Sequence, residues 1–205
     1  MTRARALTRL VAALVTSALL LAAAPALASG LTREEQQALL DGGVVRRPLD
    51  VEIGGERYFG GVAYVLVEAP PEAVIDALLD VAAMRAVFPM TLEAADAGRL
   101  GEDRLIFLRQ GVRLANAAWT AIVRRESPSV LKFWLDPTQP HDVADCWGYF
   151  RVDPFDGKRS LFTYGAVLDL EAGFVRLFFT EKIRRYALDM PLQVKRYVEG
   201  RVRKP

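Results

Sequence analysis

Residues 173–198 place apolar side chains at Val175, Phe179, Ile183, Tyr186, Met190, Val194 and Tyr197. A spacing of three to four is that of an α-helix with one wide apolar stripe, and such a stripe has to be covered. The segments that precede it carry the period of two typical of β-strands, so the sheet they form is the natural cover. A single long helix gripped by a sheet is one way to build a pocket. Pro191 interrupts the helical run and removes the hydrogen bond to the carbonyl of Ala187, at a cost of about 3 kcal/mol unless packing compensates. Two readings stay open for it: a kink that opens a mouth, or a bend that follows a curved sheet, with a break near Met190 as a further possibility.

The first 28 residues are set apart from this fold. Arg3, Arg5 and Arg9 precede an apolar to weakly polar run over residues 10–24, and Ala26-Leu27-Ala28 supplies small residues for a peptidase, which together read as a secretory signal cleaved after Ala28. The run of fifteen residues falls short of the roughly 20 that span a bilayer. The expected destination is the periplasm or the medium. The three signal arginines leave with the peptide, so 24 basic side chains then face 25 acidic ones and the basic character of the precursor gives no reason to expect nucleic acid. The remaining 177 residues suit one domain. Cys146 is the only cysteine and His141 the only histidine, which excludes an internal disulfide and the usual four-ligand structural zinc site, and no cofactor is called for.

Thr32 and Glu35 stand three apart, as the two halves of a capping box do, and Gly42 offers a stop, so a short helix is expected over 32–41. Residues 51–53 and 57–67 flank Gly54-Gly55, a dipeptide suited to a tight hairpin. Pro70-Pro71 ends the second arm and starts a helix through Val74, Ala77, Leu78 and Val81; another short helix follows from Ala82 to Phe88-Pro89. Strands are then expected at 91–97, 103–110, 115–125, 129–135, 145–152 and 160–170, divided by Gly, Pro and Asp clusters. Links this short favour antiparallel neighbours.

Residues 65–68, the following Ala69-Pro70-Pro71-Glu72-Ala73-Val74, then Phe88-Pro89, Gly157-Lys158, the last strand 161–170 and the long helix together resemble the START-like (SRPBCC) superfamily. That grouping includes polyketide cyclase and dehydrase-like proteins, plant pollen-allergen proteins of the Bet v 1 kind and coenzyme Q-binding proteins. The resemblance covers about residues 57–200 and consists of an order of elements and a few turn residues. It implies an α+β helix-grip fold: a curved antiparallel sheet of about seven strands wrapped around the C-terminal helix, two short helices after the first long strand, and an apolar cavity between sheet and helix. On that reading residues 29–56 are an N-terminal helix and hairpin extension, 57–200 the ligand-binding domain and 201–205 a basic tail.

Strand alternation then nominates inward faces: Leu105, Phe107 and Arg109; Ala117, Trp119, Ala121 and Val123; Leu131, Phe133 and Leu135; Phe162, Tyr164, Ala166 and Leu168. Apolar and aromatic residues alternating on strands are more often plain core than ligand contacts, and that reading stands beside this one. The candidate ligand contacts are Phe88, Phe107, Arg109, Trp119, Phe133 and Tyr164 from sheet and loop, with Phe179, Ile183, Tyr186 and Met190 from the helix. Arg109 would hold a carboxylate, phosphate or carbonyl, or else sit solvated at a strand end. Tyr164 and Tyr186 offer hydroxyls that can orient a polar group. Small Ala117 and Ala121 beside Trp119 leave space.

His141, Asp142, Asp145 and Cys146 form the one cluster reminiscent of catalysis, since a cysteine nucleophile needs a histidine base, with a surface histidine and a buried thiol as the alternative. Residues 174–205 hold nine Lys or Arg against three Asp or Glu, a basic face able to rest on anionic headgroups. Two functions follow: an exported, non-enzymatic carrier or sensor of a hydrophobic small molecule such as a lipid or quinone, or a polyketide cyclase or dehydrase-like enzyme using the same cavity. Export favours the first, because polyketide assembly is ordinarily intracellular.

Overall fold

Gly54 and Gly55 both adopt positive φ, 64° and 91°, and close a two-residue turn between Ile53 and Glu56. The computed structural model describes residues 30–88, 90–170 and 174–202, with side chains of the last segment from Thr180 onward. The signal peptide expected over 1–28 and residues 203–205 of the tail lie outside these. The turn joins β1 (Val44–Ile53) to β2 (Glu56–Val67). β1 thus starts seven residues before the arm expected from 51–53, and it is a full strand of the main sheet. Arg46, Arg47, Pro48 and Asp50 masked it, yet all four suit an edge: Pro48, opposite Gly61, has no amide to pair and none is needed on the outer side.

Eight antiparallel strands, one more than about seven, form a curved open sheet in the order β1-β2-β8-β7-β6-β5-β4-β3. They continue as β3 (Thr91–Leu100), β4 (Asp103–Val112), β5 (Ala115–Ser127), β6 (Val130–Leu135), β7 (Asp145–Pro154) and β8 (Ser160–Asp169). Register shifts between Thr91 and Glu93, between Asp96 and Gly98, and between Arg125 and Ser127 are the irregularities that bend strands.

Helix α1 (Arg33–Leu40) has the expected capping box: Thr32 Oγ1 accepts from the Glu35 amide at 3.2 Å and Glu35 Oε2 accepts from the Thr32 amide at 2.8 Å. Helix α2 (Pro71–Leu79), a 3-10 turn (Val81–Ala83) and α3 (Met84–Val87) carry the chain from β2 to the far edge at β3. Val74, Ala77 and Leu78 of α2 are buried, as their spacing implied, and Ile75 is buried with them; Val81, the fourth residue of that spacing, falls in the 3-10 turn and is half-buried.

Helix α4 (Phe174–Val202) lies chiefly against β2. It runs unbroken through Pro191, whose ring is fully buried, so no break occurs near Met190. Ion pairs fasten α4 to the sheet edge: Arg46 of β1 pairs with Asp189, and Arg184 Nη2 donates to Asp50 Oδ1 at 2.6 Å. Lys195 Nζ donates to the Leu66 carbonyl at 2.7 Å and to Glu199 Oε1 at 2.6 Å. Val194 and Val198 of α4 join Val65, Val67, Val74, Leu131 and Phe162 in the core.

Candidate functional site

Between the sheet and α4 lies a cavity of about 530 Å³, within the range of roughly 300–1,000 Å³ typical of ligand sites. Strand alternation supplies its walls. β5 contributes Ala117, Trp119, Ala121 and Val123 at every second position, β6 contributes Phe133, and β8 contributes Tyr164, Ala166 and Leu168. From α4 come Ile183, Ala187 and Met190, and Phe88 with Met90 closes the end beside α3. The exposed members of the lining mark the opening: Val112 and Asn116 at the β4–β5 turn, and Lys182 with Tyr186, which is 37% exposed, on α4.

Small residues create this space and aromatic ones shape it. A Cβ at Gly148 of β7 would stand 2.5 Å from the Phe133 ring, so only glycine lets that ring lie across the strand. Phe133 stacks on Phe150 at 5.0 Å and 27°, Phe150 stacks on Tyr164 at 5.6 Å and 21°, and Phe88 meets Phe150 at 6.0 Å. Such offset pairs are favourable beyond their buried area, and they leave a nearly flat aromatic panel along one wall.

The candidate contacts divide clearly. Phe88, Trp119, Phe133, Tyr164, Ile183, Tyr186 and Met190 line the cavity. Phe107 and Arg109 do not: on β4 the inward residues are Ile106 and Leu108, and the expected face was off by one position. Four consecutive apolar residues, Leu105 to Leu108, erase the alternation that would have set the parity. Arg109 lies over the Phe107 ring at 5.8 Å and pairs with Glu93 at 3.3 Å on the other side of the sheet. The Phe179 side chain lies outside the described residues. The strand reading passed over Cys146 and Phe150, although Cys146, Gly148, Phe150 and Val152 alternate as inward residues of β7. Arg184 had no sequence signal beyond its charge.

Most polar side chains of the lining are already engaged. Trp119 Nε1 donates to Gln110 Oε1 at 3.2 Å, and Gln110 Nε2 donates to Thr91 Oγ1 at 3.3 Å. Asn116 Nδ2 donates to the Val112 and Arg113 carbonyls, each at 3.3 Å, and Asp142 Oδ2 accepts from the Ala118 amide at 2.8 Å. Arg184 is 12% exposed, with Asp50 and Glu181 on its Nη atoms and the Phe59 ring 6.0 Å below. Its buried Nε has no partner among the described residues.

His141 and Cys146 do not form a catalytic pair. The imidazole is exposed and its Nδ1 shares a hydrogen bond with the Val143 carbonyl at 2.8 Å. The Cys146 thiol is buried, and desolvation, aided by the Asp145 charge, pushes its pKa up to about 12. A thiol held neutral in this way is a poor nucleophile. The arrangement is equipped to enclose an apolar molecule and offers no nucleophile–base contact among the described residues.

No family model and no curated protein matches the sequence. Solved structures do match. A STAR-related lipid transfer protein from Xanthomonas axonopodis superposes with a TM-score of 0.64 at 13% identity, over 76% of this chain and 93% of that one. The Zhui aromatase/cyclase from a Streptomyces species gives 0.56 at 16% identity, over 78% and 95%. The lipid transfer and protein localization domain of human StarD13 gives 0.52 at 12% identity, over 80% and 98%. The likeness is one of fold: the α+β helix-grip fold expected from the order of elements, shared with these lipid transfer and aromatase/cyclase structures.

Proposed function

We propose that this protein binds a hydrophobic small molecule, a lipid or a quinone-like compound, in the cavity between sheet and α4 and acts as its carrier or sensor. The observation that carries this reading is the cavity itself: about 530 Å³ walled by Trp119, Phe133, Ile183 and Met190. Packed interiors hold few voids larger than a water molecule, so a space of this size is a built feature. Structures with the same fold include a lipid transfer protein and an aromatase/cyclase. Between those two chemistries the site favours carriage, because Cys146 is held as a neutral thiol and His141 is engaged elsewhere.

Titration with the neutral dye N-phenyl-1-naphthylamine tests the reading. Saturable fluorescence enhancement at one dye per chain is expected, with a Kd of roughly 1–100 µM for a ligand of this size. Weak, non-saturating enhancement would argue for a filled interior.

Two further parts of the proposal concern place. The protein works outside the cytoplasm, for which the arginine-led apolar segment and Ala26-Leu27-Ala28 are the support, and N-terminal sequencing of the exported form should begin at Ser29. It also meets anionic membrane through α4, where Lys182, Arg185 and Arg196 are exposed while Arg184 and Lys195 are taken up by internal pairs. Among the described residues no helix is long and apolar enough to cross a membrane. Co-sedimentation with anionic vesicles that weakens with salt is the expected result; binding indifferent to lipid charge would reject this contact.

A further inference from the structure

Tyr164 sits midway along β8, paired with Ala63 of β2 and Phe150 of β7, and lines the cavity with only 9% of its surface exposed. Its ring is parallel to that of Phe133, 6° apart at 6.4 Å, and stacked on Phe150. Its immediate company, Phe133, Phe150 and the neutral Cys146, carries no charge. Buried tyrosine hydroxyls almost always find a hydrogen-bond partner. The Tyr164 hydroxyl has none among the described residues and is not sealed in the core, so it faces the open cavity. Trp119, Gln110 and Asn116 on the same lining are satisfied, and Arg184 Nε is the one sealed side-chain atom without a partner among the described residues.

We infer that the Tyr164 hydroxyl is the hydrogen-bond donor that reads the ligand, and that the cavity takes a neutral apolar molecule bearing a carbonyl oxygen at its inner end. This deepens the binding function proposed above and rests on it. Three considerations select a neutral acceptor. Desolvation raises the Tyr164 pKa, so the phenol keeps its proton and is available to donate. A phenol hydroxyl gives a hydrogen bond more readily than it receives one, which favours a carbonyl over a donor group. A carboxylate at the Tyr164 level is disfavoured because a buried anion needs a paired cation; the lining guanidinium of Arg184, whose Nε is open, stands at the level of Leu168, four residues along β8, and Lys182 is at the exposed opening.

The two polar points also set a direction. Arg184 lies over Phe59, whose partner on β8 is Leu168, four residues from Tyr164. At about 3.3 Å per residue the two levels are separated by roughly 13 Å along the strand. The Tyr164 level is walled by aromatic rings, and a carbonyl there would be shielded from water, where its hydrogen bond counts for most.

The test uses a matched pair of competitors, benzophenone and diphenylmethane, which share two phenyl rings and differ in a carbonyl against a methylene. Each displaces N-phenyl-1-naphthylamine from the wild-type protein and from Tyr164→Phe. The substitution removes no hydrogen bond within the protein, so the variant should fold, as its melting curve will show. Tyr164→Phe is expected to weaken benzophenone about five- to tenfold and to leave diphenylmethane and the dye within about twofold. Equal effects on the two competitors, or an unchanged benzophenone affinity, would overturn the role of Tyr164 while leaving the binding function standing. A dye that fails to bind wild-type protein would overturn both.

Discussion

Phe162→Ala is expected to lower the free energy of unfolding by about 3–5 kcal/mol, a large part of the roughly 5–15 kcal/mol that keeps a domain folded. Phe162 is fully buried on β8, between Val65 of β2 and Val152 of β7, which are equally sealed from solvent. Its ring meets Phe150 at 6.3 Å, and Phe150 in turn carries the stack of Phe133 and Tyr164 that forms the cavity wall. Truncation therefore removes core volume directly behind the site, and neighbouring strands held in register cannot collapse into the gap. Urea denaturation measures the loss. A change below about 1 kcal/mol would mean that this end of the sheet is loosely packed and cannot hold a shaped wall.

The second large effect is on binding. Ala117→Leu combined with Ala121→Phe fills the space beside Trp119 from two alternate positions of β5, both on the lining. Affinity for N-phenyl-1-naphthylamine should fall about a hundredfold, because the ligand would lose most of its apolar contact area. Stability should hold or rise, since the new side chains occupy open volume. In a packed core the same enlargement would cost about 1–3 kcal/mol. Dye titration and melting curves together separate the cases: lost binding with retained stability supports the cavity, and retained binding with lost stability contradicts it.

The order of elements was legible because each local signal had one physical meaning. Thr32 with Glu35 can cap a helix start, Gly54-Gly55 can form a two-residue turn, and the double proline at Pro70-Pro71 can end a strand and open a helix. The inward faces of β5, β6 and β8 were legible because small, polar or charged residues break their apolar runs at alternate positions. β4 lacks such a break at Leu105 to Leu108, so its face could be set only by pairing with β5, where Leu108 stands opposite Trp119. β1 hid for a different reason: an edge strand is half solvated, and its arginines and proline are what a sheet edge tolerates. On α4 the described part of the stripe faces the sheet and the cavity, with Ile183 and Tyr197 packed against the core. Met190 and Val194 are buried as read, but Tyr186 is at the opening, and Leu188, Pro191 and Val198 add to the packing. Arg184, whose ion pair reaches the distant Asp50, has a role that only the fold creates.

A cavity built to hold a molecule should leave the cell with one inside. Purifying the protein from its own host and extracting it with organic solvent for mass spectrometry tests whether it does. The expected result is a neutral, carbonyl-bearing apolar compound at close to one per chain, absent from the Ala117→Leu, Ala121→Phe protein prepared in the same way. Recovery of no compound above the level of the filled variant, from protein that also fails to bind the dye, would contradict it.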